Sequence, residues 1–332
     1  MEIPKGPSIA ELIDEYHQEH REGPRPHLGA SLLGHPCDRF LWLSFRWAVI
    51  EQFPGRILRL FRRGQMEEAV IVKDLESIGL KIHSTGGEQS RVDFGSHVSG
   101  SVDGIIESGV PEALKSRHIL ECKTHGAKSF KTLQSKGLQA AKPMHWCQMQ
   151  LYMHGTKIDR GLYYAVCKDN DEIYTERVHY DKQAAQMLVD RGHRIALVER
   201  MPEPLSTDPS WYQCRFCPCH DFCFGSKTTK EVNCRTCAHV TPTPEGTWTC
   251  ARGGNCEIPL DVQREGCAYH VIHPDLVPWE WLGGSEDGLC ANYIINGVKY
   301  AVGEPDANVY SSKELLGIAE GSQTIEEVDV PF

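Results

Sequence analysis

The spacing of apolar residues changes period several times along the chain, and each change marks an element. Ile9, Leu12 and Ile13 recur at helical spacing, so residues 8–20 are expected to form a helix. A loop rich in Gly, Pro and His follows and ends at Gly34-His35-Pro36. The run from Cys37 to Phe45 reads as a helix with a strongly apolar face, and residues 56–75 as a longer one. From 81 to 106 the pattern becomes strand-like, broken by turn residues at Gly86-Gly87, Gly95 and Gly104. Residues 119–123 form a short strand, and 143–154 a helix opened by Pro143, which suits a first turn. The near-continuous apolar run 161–168 is that of a strand buried on both faces. A further strand over 171–180 and an amphipathic helix over 181–200 complete the series. Helices, then strands, a helix, strands and a last helix make an α/β fold with a mixed central sheet flanked by helices. The chain has no internal repeat and no low-complexity segment.

Charged residues interrupt two of these strands in a telling way. Ser101-Val102-Asp103-Gly104-Ile105-Ile106 and His118-Ile119-Leu120-Glu121-Cys122-Lys123 each carry charge between apolar neighbours. Side chains alternate along a strand, so Glu121 and Lys123 share a face that Cys122 does not. If the two strands pair, Asp103 joins them, placing two carboxylates and an ammonium together. Carboxylate oxygens are hard ligands of the kind Mg²⁺ and Mn²⁺ prefer. A lysine there could orient a water, and a metal could stabilise charge on a phosphate.

This arrangement resembles the PD-(D/E)XK nuclease superfamily, with Val102 where the motif has Pro. Two more features resemble its RecB-like and lambda-type exonuclease branch. Gln148 and Tyr152 stand four apart on a helix and so share one face. Glu68, rather than Glu67, fits the spacing of an acidic residue on an earlier helix. The resemblance covers about residues 29–225 and implies a restriction-endonuclease-like core. It implies that Asp103, Glu121 and the Cys122 carbonyl hold Mg²⁺ or Mn²⁺ with support from Glu68. It further implies that Lys123 positions the attacking water, and that Gln148 and Tyr152 contact DNA or brace the site.

Composition changes this picture little. At 332 residues the chain can hold one large domain and a small one, and 24% charged residues is ordinary for a globular protein. No apolar run is long enough to span a membrane and the N-terminus has no signal-peptide pattern, so a cytoplasmic protein is expected, in a bacterium or a phage-infected cell. The net charge of −10 is at odds with a DNA partner until its distribution is considered. Seven basic residues, including Lys128, Lys131 and Lys136, lie between Leu114 and Lys142 with Glu121 as the one acid among them. Arg56, Arg59, Arg62 and Arg63 form a second strip. The negative excess sits largely elsewhere, as in the run Glu326-Glu327-Val328-Asp329. Lys128, Lys131, Lys136, Arg62 and Arg63 are therefore the candidate DNA contacts.

Fourteen cysteines in a cytoplasmic chain point to metal ligation rather than disulfides. Cys214-x2-Cys217-x5-Cys223 resembles the C-terminal cysteines of RecB-like nucleases carrying a [4Fe–4S] cluster, and Cys37 stands where their distant fourth ligand is expected. Four thiolates suit a cluster or zinc. Cys219 is additional to that spacing and keeps a purely local zinc site open. Cys234-x2-Cys237, with Cys250 and Cys267, has the makings of a zinc ribbon; Cys256, His270 and His273 are alternatives for its later ligands. Cys122, Cys147 and Cys167 lie in apolar stretches and read as core residues. Asn296-Gly297 signals a hairpin after Cys290.

The expected organisation is thus a nuclease domain over 1–226 and a zinc-binding module with an acidic tail over 227–332. The expected function is that of a metal-dependent DNA exonuclease in recombination, repair or end processing, often beside a single-strand annealing protein. An endonuclease or CRISPR-adaptation nuclease with the same core, and a non-catalytic DNA-binding or assembly protein, are the competing readings.

Overall fold

The computed structural model describes residues 6–285, 288–304 and 308–326. In chain order the first elements are α1 (Ile9–Glu19), β1 (Leu28–Gly29), α2 (Asp38–Phe45) and α3 (Gly55–Ser77). Strands β2 (Lys81–His83), β3 (Arg91–Gly95), β4 (Val98–Ser101), β5 (Gly104–Ser108) and β6 (His118–His125) follow. Then come α4 (Ala127–Ala141), α5 (Pro143–Thr156), β7 (Arg160–Cys167), β8 (Ile173–His179) and α6 (Lys182–Leu197). The later part holds α7 (Tyr212–Arg215), α8 (His220–Phe224), β9 (Val240–Pro242), β10 (Trp248–Cys250), β11 (Cys256–Glu257) and α9 (Leu260–Glu265). It closes with β12 (Glu280–Gly284), β13 (Ala291–Ile295), β14 (Val298–Val302), β15 (Val309–Tyr310) and α10 (Ser312–Glu326). The acidic run expected at the C-terminus lies at and beyond the last described residue.

The chain divides into two compact units. The first comprises Met1–His35 and Glu51–Gly192; the second comprises Pro36–Ile50 and His193–Phe332. The second unit recruits α2 because its side chains bond to the chain that follows α6. Trp42 Nε1 donates to the Val198 carbonyl at 3.0 Å, and Arg39 Nε to that of Pro202 at 2.8 Å.

In the first unit a five-stranded sheet runs β2-β5-β6-β7-β8, with β6 and β7 parallel and the other pairs antiparallel. It is a mixed sheet, as expected. Leu120 and Cys122 of β6 and Leu162, Tyr164 and Val166 of β7 face Ile71 and Leu75 of α3. Each such side chain taken out of water stabilises the unit by about 1.5–3 kcal/mol. Helix α5 packs near β6 and β7 and buries Gln148, Met149, Leu151, Tyr152 and Met153. The stretch 81–106 does not stay in one sheet: β3 pairs with β4, and β4 with β1, in a separate sheet. Helix α1 forms behind a Ser8–Glu11 capping box, yet none of its residues is buried.

The second unit is built around a buried cation. The Arg235 guanidinium lies 3.7 Å from the Trp47 ring centre and 4.7 Å from that of Trp248, and donates to Gln263 and the Phe45 carbonyl at 2.9 Å each. Flat aromatic faces and satisfied donors offset the cost of desolvating it. Strands β9, β10 and β11 form an antiparallel sheet, and β12 to β15 a second sheet. The Asn296-Gly297 turn joins β13 to β14 as the sequence predicts, with Tyr293 opposite Tyr300.

Candidate active site

Asp103 stands just before β5, whose Gly104 pairs with Leu120 of β6. Its Oδ2 accepts the backbone N–H of Cys122 at 2.8 Å, so the carboxylate is pinned to the middle of β6. Glu121 and Lys123 flank that peptide on the other face from the α3 core. The Lys123 ammonium is in contact with Glu121 Oε1, lies 3.7 Å from Asp103 Oδ2 and donates to the Cys122 carbonyl at 3.2 Å. The sheet therefore brings together the three charged residues read from the sequence.

Burial sets the electrostatics. Glu121 is fully buried, and desolvation first and the Asp103 charge second push its carboxyl up to about 8 against the opposing pull of Lys123. Burial works against the Lys123 charge, but Glu121 and Asp103 outweigh it and hold the ammonium firmly protonated. Glu68 of α3 feels the same site: burial, then Asp103, raises its carboxyl to about 7. Gln89 Nε2 lies 3.5 Å from Glu68 Oε2. On α5, Gln148 Nε2 donates to the Tyr152 hydroxyl at 3.4 Å, and the phenol is held protonated by burial and by Glu121. Gly100 of β4 makes room for that ring: a Cβ there would stand 2.7 Å from the Tyr152 hydroxyl.

Whether this constellation suits a metal can be judged from its atoms. Glu121 Oε2 is buried with no hydrogen-bond partner among the described residues. An orphaned carboxylate oxygen is costly unless a cation meets it. The donors around it are carboxylates and a carbonyl, the ligand type of Mg²⁺ and Mn²⁺. The residues present fit such an ion. Among the described residues, though, no three His, Cys, Asp or Glu side chains are already gathered into a metal cage.

The basic residues fall outside this centre. Lys128, Lys131 and Lys136 are exposed on α4, and Arg62 and Arg63 are exposed on α3, where Arg63 donates to the Lys168 carbonyl at 3.3 Å. Arg59 is committed to an ion pair with Asp14.

The cysteines expected to act together all belong to the second unit, but among the described residues no three of them are gathered into a group that could hold a metal ion. Cys37 caps α2, its Sγ accepting the Phe40 N–H at 3.4 Å. The Cys214 thiol is raised by burial and then by the nearness of Cys37 and Cys217. Cys223 is raised by burial, and it too feels Cys217 and Cys37. Cys219 is 1% exposed, and its N–H lies 3.4 Å from Cys217 Sγ. In the second set, burial raises Cys234 to about 11 and Cys237 to about 12, with Cys267 and Cys250 adding to both. Cys237 Sγ accepts the Val271 N–H at 3.4 Å. His270 uses both ring nitrogens on the Thr236 and Ser312 hydroxyls, at 3.1 and 2.8 Å. His273 packs edge-on to Trp42, and Cys256 is exposed.

Three polar residues next to the centre were missed in the sequence: His125, His145 and Tyr163. The alternation Glu121, Lys123, His125 was there to extend, but nothing local tied His145 or Tyr163 to it.

No protein-family model matches the chain, and no curated protein does. Among solved structures, the protein SSO0001 aligns with a TM-score of 0.40 and 14% identity over 66% of this chain and 98% of that one. An alkaline exonuclease, LHK-Exo, from Laribacter hongkongensis aligns with a TM-score of 0.36 and 15% identity over 55% of this chain and 90% of its own. The same exonuclease in complex with dAMP gives 0.37 and 14%, over 56% and 90%. Likenesses at this level identify no family, and the function has to be read from the site itself. Among the described residues no helix is long and apolar enough to cross a membrane.

Proposed function

We propose that the chain is a divalent-metal-dependent DNA nuclease. The observation that carries this reading is the buried Glu121 carboxylate, one oxygen against Lys123 and the other without a partner, beside an Asp103 pinned by the Cys122 amide. Asp103, Glu121 and the Cys122 carbonyl would hold Mg²⁺ or Mn²⁺, and Glu68 would support the ion or its water. When bound, the ion supplies Lewis-acid stabilisation of the charge that develops on a phosphate under attack. Lys123, fixed by two carboxylates, is placed to orient the attacking water. Gln148 and Tyr152 brace the other side, and Lys128, Lys131, Lys136, Arg62 and Arg63 offer positive charge to the nucleic-acid backbone.

Within this reading the chain is an exonuclease acting at DNA ends in recombination or repair in the cytoplasm, with a single-strand annealing or recombination protein as a partner. Cys37, Cys214, Cys217 and Cys223 would hold a [4Fe–4S] cluster that staples α2 to residues 214–223. Cys234, Cys237, Cys250 and Cys267 would hold Zn²⁺, in keeping with the amide that Cys237 accepts. Digestion of linear and covalently closed DNA with and without Mn²⁺ tests the class. Loss of the linear form alone supports an exonuclease, and loss of both an endonuclease. Binding without cleavage of either would reduce the chain to a DNA-binding protein.

A further inference from the structure

The sheet face that carries Glu121 and Lys123 continues beyond them into a hydrogen-bonded chain that the proposed chemistry does not use. His125 follows at the same two-residue spacing in β6, so it projects to the same side. Tyr163 of β7 stands opposite Glu121 in the parallel register, and the small Ala165 stands opposite Lys123. The Tyr163 hydroxyl lies 2.9 Å from His125 Nε2 and 2.9 Å from His145 Nδ1. Ser129 Oγ lies 3.3 Å from His125 Nδ1. Tyr163 is fully buried and His125 nearly so.

A chain of neutral groups like this has two self-consistent proton orders, because each link holds one proton. In one, Ser129 donates to His125, His125 to Tyr163 and Tyr163 to His145, which leaves His145 Nε2 carrying its proton outward. In the other every link is reversed and His145 presents a lone pair. His145 Nε2 has no partner among the described residues and is not one of the buried orphan atoms. Burial, with the charges of Lys123 and Lys142 adding to it, keeps both rings neutral; His145 is lowered to about 3 and His125 to about 4. The outward edge of His145 is therefore that of a neutral ring near Lys142. An anionic oxygen entering there selects the first order, since it accepts the N–H and is attracted by Lys142.

We propose that His145 Nε2–H donates to a backbone phosphate of the bound DNA, held in that tautomer by the Ser129–His125–Tyr163 chain. The proposal rests on the nuclease reading for its substrate, the phosphate being a neighbour of the one cut. His145 is a binding residue here, and Tyr163 and His125 are positioning residues.

The test is fluorescence anisotropy of a short labelled duplex in EDTA, where metal-dependent cleavage is silent, across a salt series. His145→Ala should weaken binding about tenfold at every salt concentration with the salt slope unchanged, because the group removed is uncharged. His145→Gln should recover most of that loss, since its amide nitrogen reaches the outward position. Tyr163→Phe should weaken binding about threefold by releasing the tautomer. Lys142→Ala should instead flatten the slope by about one. Binding by His145→Ala equal to wild type overturns the proposal, as does His145→Gln no better than His145→Ala. If His145→Ala does not fold, the Gln and Phe variants decide. Parallel digestions with Mn²⁺ separate this proposal from the nuclease reading. Cleaving wild type with unaltered binding by His145→Ala sinks the phosphate hydrogen bond alone. A wild type that binds but never cleaves, with the His145 effect intact, sinks the nuclease reading alone. A wild type that does not bind DNA sinks both.

Discussion

The Asp103 carboxylate and the Cys122 amide are joined by a hydrogen bond of 2.8 Å, and the Cys122 carbonyl receives the Lys123 ammonium at 3.2 Å. One peptide of β6 thus positions both a candidate metal ligand and the candidate water-orienting group. The acidic centre is tied to backbone at the middle of a sheet and not to a mobile loop, which favours a preorganised site.

Replacing the charge while keeping the shape should expose this dependence. Asp103→Asn and Glu121→Gln can retain hydrogen bonds but not anionic oxygens, and Lys123→Met removes the ammonium. Each should lower Mn²⁺-dependent cleavage by at least about a hundredfold. Rates within a few-fold of wild type for any of the three, in folded protein, would contradict the assignment of that residue.

Charge on α4 should act differently. Changing Lys128, Lys131 and Lys136 together to Ala should weaken DNA binding for all sequences alike. It should also flatten the salt dependence by about two to three, near 0.9 for each phosphate no longer neutralised. An unchanged slope would place the DNA on another face and return these exposed lysines to ordinary solvated positions.

Cys37 and the cysteines of residues 214–223 give a prediction that separates their two metal readings. Under the cluster reading, anaerobically purified protein is brown and holds about four iron atoms and one zinc per chain. Cys37→Ala and Cys217→Ala then lose the iron, whereas Cys219→Ala keeps it, because Cys219 is additional to the four-cysteine spacing. About two zinc atoms, no iron, and loss on Cys219→Ala with Cys37→Ala spared would favour a local zinc site.

Acid should weaken the first unit through its neutral histidines. In the folded state His125 is lowered to about 4 and His145 to about 3, by burial first, against about 6.5 when unfolded. Between these values the unfolded chain binds more protons, so their contribution to stability is whole above about pH 7 and falls as pH drops toward 4. Denaturation midpoints at pH 7.5 and pH 5 should therefore differ less in a His125→Gln, His145→Gln double variant than in wild type. An equal loss in both would assign the acid sensitivity to other groups.

Much of the central sheet was legible because its strands are apolar runs bounded by turn residues, and the charges at Asp103, Glu121 and Lys123 stood out against them. Helix α4 was not. It carries Lys128, Lys131 and Lys136 on exposed positions, and Gly137, at φ 74°, breaks its periodicity; the Leu138 N–H there is satisfied by Glu176 at 2.7 Å. Only a partner 38 residues away makes that break tolerable, and local pattern does not reveal it. The tie between α2 and the chain after α6 was hidden for a similar reason, since Trp42 and Arg39 bind carbonyls more than 150 residues later. The same holds for the site: alternation within β6 was readable, whereas the meeting of His125, Tyr163 and His145 depends on the register of β6 against β7 and on the placing of α5.

The most direct test of a metal-dependent nuclease is the release of acid-soluble nucleotides from linear duplex DNA. It compares wild type with Glu121→Gln, in Mn²⁺ and in EDTA. The Asp103–Glu121–Lys123 site predicts steady release by wild type in Mn²⁺ alone, abolished by EDTA and by the single loss of the Glu121 charge. Release that persists in EDTA, or that Glu121→Gln sustains at the wild-type rate, would contradict it.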